Sequence, residues 1–269
     1  MAELTRTLRL ALMFQRASIR GAMQYKVNLW VGIATGVAYQ GTGFAFVWVV
    51  LQRFPSLAGW TLAQVAFLYG LRLVAHATWL VPMNALVGIE WLVREGAFDR
   101  YLLRPLNPLV QLLTTRPMRV GGLGDLLTGI GILAAAAALA DVRWTPEVIG
   151  LAALAILGGA LIEGGIQLAI ASLSFRLLTI FQISHFVDDI FSRFGSYPLK
   201  VFGGTAEWIL TWVVPVAFVA YVPASVILDQ QMRLAPWAAL LPPAIGIVIF
   251  VGAYRFWERQ LRHYQSTGN

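Results

Sequence analysis

Long apolar runs recur along this sequence too closely for a soluble fold. They lie near residues 28–51, 61–88, 118–140, 148–174, 178–197 and 236–256. A membrane-crossing helix needs about 20 mostly apolar residues, because hydrocarbon leaves backbone polar groups no partner outside their own helix. The runs therefore predict an all-α membrane protein with six transmembrane helices. The stretch Glu207 to Leu228 is also apolar, but Pro215 and Pro223 divide it. It reads as two short re-entrant helices within 205–228, placed before the last span, rather than as a seventh crossing. Composition agrees: 58% of residues are hydrophobic and 12% charged, against about 25% charged in an ordinary soluble domain.

The first residues carry Arg6, Arg9, Arg16 and Arg20. At a helical 100° per residue these fall within a sector of roughly 80°, away from Leu4, Leu8, Ala11, Leu12 and Ile19. Residues 3–26 are expected to form a basic amphipathic helix at the cytoplasmic surface, with a frayed basic tail as the plainer alternative. The pattern is not that of a signal peptide, since the arginines interrupt any apolar core.

The net charge of +7 is unevenly distributed. Arg6, Arg9, Arg16, Arg20 and Lys26 precede the first run. Arg94, Arg100, Arg104, Arg116 and Arg119 surround the loop after the second, and Arg255, Arg259 and Arg262 follow the last. The other loops hold only Arg53, Arg143, Lys200 and Arg233. This is the positive-inside asymmetry: both termini and the 89–117 loop are expected in the cytoplasm. Basicity here marks topology and argues against nucleic acid as a partner. With no cysteine in the chain, disulfides, thiolate metal sites and cysteine nucleophiles are excluded.

A single membrane domain, 1–269, accounts for the sequence. Trp60, Trp91, Trp144, Trp208, Trp237 and Trp257 fall near the ends of runs, as interfacial anchors do. Glycines cluster within runs at Gly32, Gly36, Gly41 and Gly43, at Gly121, Gly122, Gly124, Gly129 and Gly131, and at Gly158, Gly159, Gly164 and Gly165. Their spacing suits close helix–helix approach within one subunit, with some left for a dimer seam. No internal repeat marks an inverted-repeat transporter.

Between the second and third runs lies the polar segment GAFDRYLLRPLNP, Gly96 to Pro108. Glu95 to Leu103 is expected to form a short amphipathic helix, with Phe98, Leu102 and Leu103 apolar, Asp99, Arg100 and Arg104 polar, and Pro105 and Pro108 ending it. Such a helix could pass force to a soluble partner; an ordinary loop with positive-inside arginines is the alternative.

Ionisable residues inside spans are costly and usually face protein or water. In the second run Tyr69, Arg72, His76 and Trp79 share a face; in the fourth Glu163 and Gln167 lie a turn apart; in the fifth stand His185, Asp188, Asp189 and Arg193. They read either as a polar substrate pathway (Tyr69, Arg72, His76, Glu163, Asp188, Asp189, Arg193) for an amphiphilic or cationic molecule, or as ion pairs. In the second case Arg72 would pair with Glu163 or Asp188, and Asp189 with Arg193. Asp125 would neutralise Arg116 or Arg119. His76 and His185 alone do not make a metal site. There is no phosphate-loop G-x-x-x-x-G-K-[ST] and no catalytic motif of the G-x-S-x-G or H-E-x-x-H kind, so the chain is expected to be non-catalytic.

The segment Glu95-Gly96-Ala97-Phe98-Asp99-Arg100-Tyr101-Leu102-Leu103-Arg104-Pro105-Leu106-Asn107-Pro108 resembles the first cytoplasmic loop of bacterial ATP-binding-cassette type-two exporter permeases, in their short six-span branch. Tyr197-Pro198-Leu199, Val214-Pro215-Val216-Ala217-Phe218 and Tyr221-Val222-Pro223-Ala224 match a second block, and the basic N-terminal helix is similar to that family's interfacial elbow.

The resemblance implies a permease subunit of an ATP-driven exporter in a prokaryotic cytoplasmic membrane, forming half of an alternating-access path. Residues 94–108 would be the coupling helix, meeting the ATPase through Glu95, Phe98, Asp99, Arg100, Leu103, Arg104 and Pro105. Tyr197, Pro198, Pro215, Phe218, Tyr221 and Pro223 would form the extracellular gate. The resemblance further implies separate ATPase subunits, two copies, carrying the ATP and magnesium that this chain does not bind. It also implies a second permease, more often a paralogue than a copy, amid membrane lipids. Multidrug efflux is among the activities of related permeases. An ion-coupled transporter using Asp188 and Asp189, or a membrane scaffold without a transport path, remain the alternatives from the residues themselves.

Overall fold

A computed structural model describes residues 23–53, 56–115, 120–177 and 179–266, with positions 13, 20 and 21. The expected amphipathic helix over 3–26 falls almost wholly outside the described residues, as do Arg116 and Arg119. What is described is helical, without strands among the described residues. In chain order the α-helices are α1 (Lys26–Arg53), α2 (Leu62–Met83), α3 (Ile89–Arg94), α4 (Asp99–Leu102), α5 (Pro108–Thr115), α6 (Val120–Leu139), α7 (Pro146–Ser172), α8 (Phe181–Phe194), α9 (Gly204–Trp212), α10 (Tyr221–Ile227) and α11 (Pro242–Leu261).

Local chemistry sets where the long helices begin. Thr61 and Gln64 form a reciprocal capping box at the start of α2, with Thr61 N donating to Gln64 Oε1 at 2.9 Å. Thr145 caps α7, and Pro146 takes the first helical position, where its missing N–H leaves no bond unmade.

Three helical segments among the described residues are long and apolar enough to cross a bilayer: Leu62–Arg94, Val120–Leu139 and Pro146–Phe175. The pair Gly204–Trp212 and Val216–Ile227, bent by 75°, makes a fourth if it is one broken span. The sequence predicts six, and the difference has local causes. Helix α1, at 28 residues, has the length of a crossing. The last two turns of α11 hold Arg255, Glu258 and Arg259. Helix α8 has only 14 residues, about 21 Å at 1.5 Å per residue, against a hydrocarbon layer of about 30 Å.

Helix α6 lies between α1 and α2, and α11 runs along α7, which also packs on α2. Glycines make these approaches possible. A Cβ on Gly36 would strike the backbone of Gly121, and one on Gly124 would strike Ile33 O, so α1 and α6 touch backbone to backbone. Gly158 meets Pro242 in the same way where α7 crosses α11. Gly41 and Gly131 face open space and take no part in this packing.

Two buried cores lie towards the opposite ends of the 62–94 segment. One gathers Trp60, Phe67, Leu71, Phe218 and Tyr221; the other gathers Ile89, Val93, Phe98, Phe175 and Trp257. The second core fixes the loop that follows.

Candidate functional site

The loop after the 62–94 segment does not form one helix. Gly96 adopts φ 66°, a left-handed conformation, and breaks the chain between α3 and the single turn α4. Pro108 does not end a helix either. It opens α5, where the Asn107 side chain accepts from Leu109 N at 3.0 Å and Val110 N at 3.3 Å. The expected helix over 95–103 is thus corrected to a turn at 95–98 followed by the single helical turn Asp99–Leu102.

The seven residues expected to meet a partner divide into anchors and exposed groups. Phe98 is fully buried, its ring against Phe175, Trp257, Tyr101 and Tyr264. Asp99 is tied inward: Tyr264 Oη donates to Oδ1 at 2.7 Å and Ser266 Oγ to Oδ2 at 2.6 Å. These bonds, that from Ser266 first, hold the Asp99 carboxyl below its ordinary range. Asn107 Nδ2 reaches Tyr254 Oη on α11 at 2.8 Å. Glu95, Arg100, Leu103, Arg104 and Pro105 remain exposed, Leu103 at 85%.

Midway along the 62–94 segment the chain buries charge. Arg72 Nε lies 3.7 Å from Glu163 Oε1, and both side chains are almost wholly enclosed. Glu163 Oε2 also takes His76 Nδ1 at 2.7 Å and Trp79 Nε1 at 2.9 Å. Of the two partners expected for Arg72, the structure selects Glu163. Asp189 pairs with Arg193 at 3.0 Å one turn along α8, with both side chains largely in the open. Tyr69 Oη meets Gln40 on α1.

A cavity of about 270 Å³ opens beside this cluster. Helix α1 lines it with Thr35, Tyr39 and Gln40; the 62–94 segment with Arg72, His76 and Trp79; α6 with Asp125; α7 with Gln167; and α8 with Ser184, His185, Asp188 and Asp189. Four of the seven pathway residues therefore line one space. Glu163 backs it, Tyr69 reaches it through Gln40, and Arg193 reaches it through Asp189. His76, Glu163 and Asp188 bring ligand atoms within 4.8 Å of one another, a grouping that the wide separation of these residues along the chain hides.

Of the residues expected to gate the outer face, most are packed into the fold, and Tyr221 also lines a small cavity with Glu207, Trp212 and Arg233. Phe218 and Tyr221 are buried in the first core, Tyr221 against Trp60, and Pro198 and Pro223 are buried as well. Tyr197 stacks edge-on with Phe202, and Pro215 stands at the break before the 216–218 turn.

One residue at this site gives no sequence signal. Glu90, 4% exposed, accepts from the backbone N–H of both Ile180 and Phe181 at 2.8 Å. It caps α8 from about ninety positions upstream, and Arg94 reaches its other oxygen at 3.4 Å.

Residues 37–268 match the family described as ABC-2 family transporter protein. Neither a curated protein nor a solved structure matches.

Proposed function

The chain belongs to the ABC-2 family of transporter proteins, and from that premise we propose that it is the membrane permease of an ATP-driven exporter, powered by ATPase subunits on separate chains. The observation that carries the coupling role is the loop 94–108. It is polar and exposed at its tip, yet tied to the body of the fold by Phe98, Asp99 and Asn107. A tip so held passes displacement to the long helices instead of absorbing it. Leu103, Arg104 and Arg100 would touch the ATPase, while Phe98 and Asp99 would hold the tip in place.

The six apolar runs would all lie in the bilayer, with the bent pair α9 and α10 as the two short extracellular re-entrant helices before the last span. The positive-inside pattern supports a cytoplasmic side for both termini and the loop, and the family resemblance supports a prokaryotic cytoplasmic membrane. Two permeases, paralogous or identical, and two ATPase subunits would form the working assembly, with the polar cavity on the substrate path.

Purification of tagged protein from its native membrane in mild detergent, with mass spectrometry of what co-elutes, tests this reading. A phosphate-loop ATPase in near-stoichiometric amount is expected, and a second permease in the same peak distinguishes heteromer from homomer. Absence of any ATPase, even after crosslinking through 94–108, overturns the reading in favour of an ion-coupled transporter or a scaffold.

A further inference from the structure

The cavity beside Arg72 has a charge left over. Arg72 is matched by Glu163, and Asp189 by Arg193. Asp188 is matched by neither. Among the described residues no lysine or arginine comes within 4.0 Å of its carboxylate; its nearest ionisable contact is His76 Nδ1 at 3.8 Å. Its side chain is 38% exposed, and the space it lines is this cavity. A carboxylate in a cleft between apolar helices, without a fixed counter-ion, is stabilised by whatever cation the cleft admits.

Other features of the cavity indicate which cation. Its volume, about 270 Å³, is close to the lower end of small-molecule sites at about 300 Å³, and far larger than one ion needs. The Tyr39 and Trp79 rings and Leu80 line it alongside the polar groups, giving an organic cation both apolar cover and aromatic faces. The Arg72 guanidinium stands 3.5 Å from His76 Nδ1, so a divalent metal on that nitrogen would sit against a fixed positive charge.

We propose that this cavity binds a small organic monocation, a protonated amine or quaternary ammonium, with its charge on Asp188 and its apolar body against Tyr39, Trp79 and Leu80. The inference deepens the substrate-path reading above. Binding is measured on the permease alone, so its failure is separable from failure to recover an ATPase.

The experiment is equilibrium binding of tetraethylammonium to the full chain in lipid nanodiscs, followed by calorimetry. Saturable binding is expected, weakened about tenfold or more in Asp188→Asn by loss of the charged contact and retained in Asp188→Glu. Glu147→Gln, which neutralises an exposed carboxylate in the first turn of α7 and outside the cavity, should bind as the parent does. Monodisperse elution of every variant confirms folding. No saturable binding by the parent, or equal binding by parent and Asp188→Asn, overturns the proposal. Binding of zinc or manganese without tetraethylammonium also overturns it, and assigns His76, Glu163 and Asp188 to a metal instead.

Discussion

Asp99 and Tyr264 stand 165 positions apart and share a hydrogen bond of 2.7 Å. The bond joins the loop after the second long helical segment to the tail that follows the last helix, and Ser266 doubles it on the other carboxylate oxygen. The loop is therefore held from two sides: by Phe98 in the buried core, and by the tail on its polar face.

The tail contact should depend on pH in one direction. Its hydrogen bonds lower the native pKa of Asp99, while an unfolded aspartate titrates near about 3.9. The contact's contribution is fully present above that unfolded value and is lost as pH falls through the lower native one. Hydrogen exchange at 262–266, corrected for intrinsic rate, should keep constant protection from about pH 8 to pH 5 and lose it only below about pH 4. Tyr264→Phe combined with Ser266→Ala should remove the protection at every pH and leave the long helices folded.

Leu103→Ala and Arg104→Glu should change thermal stability in detergent by no more than about 0.5 kcal/mol, since both side chains are exposed. The same variants should lose the co-eluting ATPase. Phe98→Ala should instead lower the melting temperature, because it empties a fully buried aromatic position, at a cost of about 3–5 kcal/mol.

Glu163→Leu leaves Arg72 buried without its partner and should cost about 3–5 kcal/mol. The double variant Arg72→Met with Glu163→Leu should recover most of that loss. Melting curves of the two singles and the double measure the coupling. Additive losses would show that the pair contributes nothing beyond its separate parts.

Gly36→Val and Gly158→Val each place a side chain against backbone of the facing helix. Each should destabilise by about 1–3 kcal/mol or more. Gly131→Val, which meets open space, is the control and should melt like the parent. Melting followed by size-exclusion chromatography checks all three.

How much the sequence revealed follows from the range of each interaction. The Asp189–Arg193 pair spans one helical turn, so spacing alone places it. The Arg72–Glu163 pair was one of two options, because Glu163 and Asp188 both lie within apolar runs and only packing of α2 on α7 decides between them. Phe98 looked like part of an amphipathic face and is a fully buried anchor, since the rings that enclose it come from Phe175, Trp257 and Tyr264, far along the chain. Pro108 looked like a stop signal and is a start, because Asn107 caps the helix that follows. Gly96 in a left-handed turn removes the first residues of the helix that periodicity predicts over 95–103 and leaves the single turn Asp99–Leu102. The bond from Glu90 to the start of α8 is wholly tertiary, and neither residue type nor spacing announces it.

That bond also fixes what can move with what. Glu90 stands a few residues before the loop, and the two amides it grips begin the helix that carries His185, Asp188 and Asp189 along one wall of the cavity. Glu90 and the core that Ile180 shares with Ile89 and Leu92 thereby join the segment before the loop to the cavity wall. A tilt at the Glu90 end of the 62–94 segment would carry with it the first turn of α8, and so one wall of the cavity.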